Sequence, residues 1–292
     1  KELLRARGVK IDAAASTPKL FDGLSLSLLA SGHVLGGAMF YAEWDGHSFL
    51  YTGDFKTRDS LTLRGEAGAA KPRECETLVV ESTYGLPETR FPLREQTYSE
   101  IASWVKKKNS GGAAVVLAGY TLGKAQELVA CLNEYAGVAP VVTPDIAAIC
   151  EIYRRHGVRL DYVNAATPHG CVELRRQRFV AVFSPRVARR FTPPAGQRVA
   201  IAFASGWCAS GFAGASLGFD AGFALSDHAD FFEIVDFVEA CAPKRVYCVH
   251  GFAEQLAAAL RKRGFDASAA EARGVKPAVD KKQETLFACE VV

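Results

Sequence analysis

The chain has 292 residues, 49% of them hydrophobic and 23% charged, which excludes wholesale disorder, collagen and coiled coil and leaves room for one large domain or two modest ones. Its net charge of +3 names no partner, but residues 83–200 hold 16 Lys and Arg against 9 Asp and Glu, so one internal segment is basic. Eight cysteines without a Cys-x-x-Cys spacing predict reduced, mostly buried thiols and a cytoplasmic protein.

The chain opens at Lys1 on a short predicted helix to Arg7, and this start without methionine leads us to expect that something precedes it. Period-2 or continuous apolar character predicts strands at 9–11, 24–30, 38–44, 48–52 and 77–80, with Asp45-Gly46 turning between the third and fourth. The uncharged run 23–42 breaks at Gly32, Gly36 and Gly37, so it reads as strand, turn and strand, and no membrane is expected. From residue 94 helices alternate with short apolar strands: helices 94–108, 122–136 and 145–156, strands 113–117, 141–143, 179–183 and 199–203. Such alternation predicts βαβ crossovers and a parallel sheet. Residues 205–224 are Gly-rich and read as a return connection, followed by helix 231–241, strand 245–249 and helix 252–263.

Four polar groups fall at predicted strand ends, where α/β proteins place their sites: His33, Asp54, His228 and His250. Each has a small residue alongside that lets a metal or phosphate approach, and imidazole with carboxylate suits zinc. Any one strand-end histidine is more often a hydrogen-bonded loop residue, so the signal lies in the set. His47, His156 and His169 read as surface or loop residues. The basic residues Lys106–Lys108, Arg154, Arg155 and the arginines of 175–190 can neutralise phosphates without reading sequence, or form a solvated face. Lys124, opening a helix after Gly123, is the basic residue expected nearest a phosphate. Trp207, Tyr84 and Phe55 lie beside motif residues and either stack on bases or simply pack.

The ordered series Gly32-His33-Val34-Leu35-Gly36, Thr52-Gly53-Asp54-Phe55, Glu81-Ser82-Thr83-Tyr84-Gly85, Leu122-Gly123-Lys124-Ala125-Gln126-Glu127, Ser226-Asp227-His228-Ala229-Asp230 and Val249-His250-Gly251 resembles the β-CASP nucleases of the metallo-β-lactamase superfamily. With Ser205–Trp207 it is most similar to short prokaryotic mRNA 3′-end-processing-like and DNA-ligase-associated exonucleases. The resemblance implies an α/β fold: a metallo-β-lactamase αββα sandwich, incomplete at its N-terminus, split into 1–82 and 210–292 by an inserted α/β β-CASP domain at 83–209. It implies two zinc ions, one held by His33, one by His250, with Asp54 bridging. It further implies His228 as the catalytic group at the scissile phosphate, oriented by Glu81, with Lys124, Ser205, Trp207 and Ser226 binding substrate. The expected activity is hydrolysis of single-stranded RNA or DNA. RNA comes first because relatives with a histidine matching His250 are mostly ribonucleases, and an RNA-processing exonuclease is the leading form. A ligase-associated DNA exonuclease, a non-catalytic nucleic-acid-binding relative and a homodimer stay open.

The resemblance has one gap. The family's first metal motif, His-x-His-x-Asp-His, has no counterpart in residues 1–32. His33, Asp54 and His250 alone give each ion two protein ligands, below the three usual for catalytic zinc. Truncation, ligands from another chain and loss of catalysis are the three explanations.

Overall fold

The computed structural model describes residues 2–3, 22–210 and 218–270. The expected strand at 9–11, most of the expected helix 1–7 and part of the Gly-rich connection lie outside them. In chain order the strands are β1 (Ser25–Ala30), β2 (Ala38–Trp44), β3 (His47–Tyr51) and β4 (Thr77–Glu81). Then come α1 (Arg94–Ser110), β5 (Ala114–Ala118), α2 (Lys124–Cys131), β6 (Val141–Val142), α3 (Pro144–Arg155), β7 (Val163–Asn164) and α4 (Pro168–Arg175). These are followed by β8 (Val180–Phe183), α5 (Pro185–Arg190), β9 (Val199–Ala204), β10 (Ala221–Phe223), α6 (Phe231–Cys241), β11 (Arg245–Val249), α7 (Ala253–Arg261) and β12 (Ala267–Ala269). None of the described helices is long and apolar enough to cross a membrane.

Two compact units divide the chain, and each has its own six-stranded sheet. The first unit takes, among described residues, 22–90 and 227–270. Its sheet runs β1-β2-β3-β4-β11-β12, antiparallel through β3 and parallel from there on. The hairpin between β2 and β3 turns on Asp45 (φ 48°) and Gly46 (φ 76°), the left-handed pair that matches strand twist in a two-residue loop. One face of the sheet, carrying Met39, Leu50, Leu78, Val80, Val246 and Cys248, packs with Ile234, Val238, Leu256 and Leu260 of α6 and α7 into a closed core. The alternate residues of β1 to β3 point the other way, and there Leu28, Trp44 and Phe40 remain exposed. The sheet is therefore apolar on both faces while α6 and α7 cover one.

The second unit takes, among described residues, 2–3, 91–210 and 218–226. Its sheet, β10-β9-β5-β8-β6-β7, is parallel throughout. All five residues of β5 are buried, as a continuous apolar run requires of a central parallel strand. Here the sequence reading needs correction. The Gly-rich return is not wholly a connection, because β10 pairs in parallel with β9 and belongs to this unit. Two short helices, α4 and α5, were also not anticipated. Both start on a proline whose preceding Thr167 or Ser184 caps the first turn.

Candidate metal centre

The site grows from turns that leave the first unit's strands. After β1 the loop closes on itself through Ser31 N to Gly37 O (3.1 Å) and Gly37 N to Val34 O (2.8 Å), presenting His33. Gly32 has φ 70°, and a Cβ there would meet the Gly68 and Lys56 carbonyl oxygens at 2.6 and 2.7 Å, so only glycine fits beneath the histidine. After β3 the chain turns at Gly53 and exposes Asp54. Lys56 N donates to Ser31 O (2.9 Å), tying the Asp54 turn to the His33 loop. Glu81 ends β4, buried. His228 precedes α6, which starts on a capping box in which Asp230 accepts from Glu233 N and Glu233 from Asp230 N, both at 2.9 Å.

His33, Asp54 and His228 each bring one ligand atom within 4.8 Å of the others. His33 Nε2 lies 3.7 Å from Asp54 Oδ2, and the two imidazole centroids are 4.6 Å apart. The outer contacts settle the tautomers. His33 Nδ1 lies 3.0 Å from the Asp227 carbonyl oxygen, which can only accept, so Nδ1 carries the proton and Nε2 the lone pair. His228 Nδ1 lies 2.8 Å from Glu81 Oε1 and donates to that carboxylate. Metal-binding histidines are typically held this way, one nitrogen donating to a carbonyl or carboxylate and the other facing the ion. Two histidines and a carboxylate so arranged also match a catalytic zinc donor set with one coordination position open.

Electrostatics separate the two rings. Burial, then the neighbouring His228, lowers the His33 pKa and keeps it neutral. Burial also works against charging His228, but the Glu81 charge and hydrogen bond prevail, with Asp54 and Asp227 assisting, and its pKa is raised. For Glu81, burial alone would raise the pKa. The His228 contact and the amides of Thr83 (3.2 Å) and Phe55 (3.0 Å) outweigh it, and the carboxyl falls below its ordinary range. The Glu81–His228 pair is thus built as carboxylate and imidazolium when no cation sits beside it.

The expected residues do not all gather. His250 is exposed at φ 62° after β11 and stands outside the three-residue cluster. Its turn is fixed by Gly251, where a Cβ would meet the Ser82 carbonyl oxygen at 2.3 Å. Lys124, Ser205, Trp207 and Ser226 belong to the second unit. Lys124, expected at a phosphate, is only 2% exposed, and its Nζ lies 3.4 Å from Glu127 Oε2. Ser205 and Ser226 are buried, and Trp207 packs against the second unit's core. Of the other two aromatics, Phe55 packs on Phe237 in the core and Tyr84 sits edge-on to His228, both buried. Sequence reasoning missed the Asp227 carbonyl, whose backbone role no residue type announces.

Residues 223–270 match the family model described as Zn-dependent metallo-hydrolase RNA specificity domain. The chain is 34% identical over 257 residues to a probable DNA ligase of Opitutus terrae, covering 86% of this chain and 24% of that protein. It is 32% identical over 172 residues to cleavage and polyadenylation specificity factor 73 of Drosophila melanogaster, covering 58% of this chain and 24% of that one. Against transcription termination factor FttA of a Lokiarchaeum it is 34% identical over 114 residues, 38% of this chain and 18% of the relative. The chain therefore spans a quarter or less of the length of these curated relatives. A crystal structure of a protein of unknown function from Enterococcus faecalis V583 shares the fold at a TM-score of 0.52 and 12% identity, over 80% of this chain and 59% of that one. The ordered motifs and the metal-suited cluster thus stand in a chain whose residues 223–270 match a Zn-dependent metallo-hydrolase domain and whose sequence is similar to nucleic-acid-processing proteins.

Proposed function

We propose that this chain carries part of the active site of a zinc-dependent nuclease that hydrolyses phosphodiester bonds of single-stranded nucleic acid, with RNA the preferred substrate. The observation that carries this reading is the tautomer arrangement: His33 and His228 each commit Nδ1 to a carbonyl or carboxylate while the Asp54 carboxylate lies within ligating range of both. His33 and Asp54 would hold the metal. Bound zinc supplies Lewis-acid polarisation of the phosphoryl oxygen and a lowered pKa for attacking water. The chain's own residues supply the rest. Glu81 holds His228 through Nδ1, and the charged ring offers the proton on Nε2 to the departing ester oxygen as the P–O bond breaks. In this reading a second ion would draw on Asp54 and His250.

The three-residue cluster favours a second role for His228, as a direct ligand. His228→Ala separates the roles: a proton donor leaves zinc binding intact and removes cleavage, whereas a ligand takes zinc with it. The 34% identity to a probable DNA ligase over most of this chain supports ligase-associated DNA processing as the alternative substrate class. End-labelled single-stranded RNA and DNA of one sequence, given to zinc-loaded protein, test the reading. RNA cut faster than DNA and protection by chelator support it, and equal strand binding with and without chelator and no cleavage point to the non-catalytic relative.

A further inference from the structure

Arg94 is the first residue of α1 and only 9% exposed. A cation at a helix N-terminus opposes the helix dipole, and burying it adds a desolvation cost. Something specific must hold it there. Nη1 donates to Glu127 Oε1 at 2.6 Å, and the same carboxylate accepts from Tyr98 OH at 2.5 Å and faces Lys124 Nζ at 3.4 Å. The other arm of the guanidinium, Nη2, donates to the carbonyl oxygen of Ser226. A network on α1 and α2 therefore ends on the backbone of the residue that leaves the second unit.

The residues that follow are the ones the metal centre uses. The next carbonyl, that of Asp227, fixes the His33 tautomer, and the next side chain, His228, enters the cluster. Ala229 N then donates to Phe55 O (2.8 Å), and Asp230 is locked by its capping box. Residues 226–230 are thus held at the downstream end by the cap and at the upstream end by Arg94.

We infer that Arg94, clamped by Glu127, is a positioning residue for the metal centre: it sets the backbone of Ser226 and, through the peptide that follows, the Asp227 carbonyl and the His228 ring. This rests on the proposed zinc site. Only a planar fork can reach Glu127 and the carbonyl together, so lysine at this position keeps the charge and loses the bridge.

The test compares wild type, Arg94→Lys, Tyr98→Phe and the remote control Arg154→Gln, all as full chains. Zinc affinity is read by competition with a chromophoric chelator, amide exchange at 227–229 in metal-free protein, and melting temperature alongside. Arg94→Lys is expected to lose about tenfold in zinc affinity, the low end for groups that support ligands from outside the coordination sphere. Its 227–229 amides should exchange faster, Tyr98→Phe should show a smaller change in the same direction, and Arg154→Gln should show none. Tyr98→Phe removes one hydroxyl and decides the matter if Arg94→Lys does not fold. Exchange at 227–229 and zinc affinity both at wild-type values in the folded variants would overturn the inference. Wild type taking up no zinc overturns the reading of the site instead, and the exchange arm still judges Arg94.

Discussion

Two polar clusters occupy the two units, and they are built to opposite ends. In the second unit, Glu127 gathers Arg94, Tyr98 and Lys124, and the donors turn inward on one carboxylate. In the first unit, Glu81 and the Asp227 carbonyl take one nitrogen from each of two imidazoles, and the second nitrogens are left to converge with Asp54. The first arrangement is closed and the second open. A closed network holds elements together, whereas an open one concentrates lone pairs where a cation can take them. Burial follows the same division, with Lys124 and Glu127 hidden and Asp54 exposed, and the direction of the donors and acceptors gives the reason.

The sharpest way to break this comparison is to empty the closed cluster. Glu127→Ala leaves Arg94 and Lys124 buried without their shared carboxylate and should cost about 3–5 kcal/mol, read by urea unfolding. A cost below about 1 kcal/mol would mean that the network is not closed in the sense used here. The open cluster should respond first in catalysis. Glu81→Gln keeps the shape but removes the charge that holds His228 for proton donation, and cleavage by the zinc-loaded protein should fall about 10–100-fold. The metal-free protein adds a pH signature. The lowered Glu81 pKa gives stability that is present above its unfolded value of ~4.3 and lost as pH falls through the folded one. The raised His228 pKa gives stability that is complete below ~6.5 and lost as pH rises through the folded value. Both contributions are complete between those limits, so Glu81→Gln should lower the unfolding free energy there and flatten its dependence on pH below ~4.3 and above ~6.5. The smallest effect belongs outside both clusters. Trp44 is 53% exposed on the sheet face that no described helix covers, and Trp44→Ser should move stability by no more than about 0.5 kcal/mol. A larger loss would show that this face is covered in solution.

Much of the frame was legible because it follows from period and punctuation. Helix α6 and strand β11 begin and end where the sequence placed them, since Asp230 caps one and a continuous apolar run makes the other. The turns carrying His33 and Asp54 after apolar strands and the segment carrying His228 before α6 do meet. What was hidden depends on partners distant in sequence. Nothing local in Leu122-Gly123-Lys124 tells that Arg94 and Tyr98, some thirty residues earlier, complete a carboxylate cluster that draws the lysine inward. Likewise β10 is three residues inside a Gly-rich stretch, and only its pairing with β9 makes it a strand. The exposed placement of His250 turns on two consecutive left-handed residues, a backbone feature that the Gly251 signal hints at without giving its direction.

The most direct measurement is zinc content and cleavage together for wild type and Asp54→Ala. Asp54 is exposed, so its loss should leave the melting temperature close to wild type while removing a ligand. The account predicts stoichiometric zinc and chelator-sensitive cutting of single-stranded RNA for wild type, and the loss of both in a folded Asp54→Ala protein. Equal zinc uptake and equal cutting by the two proteins would contradict it.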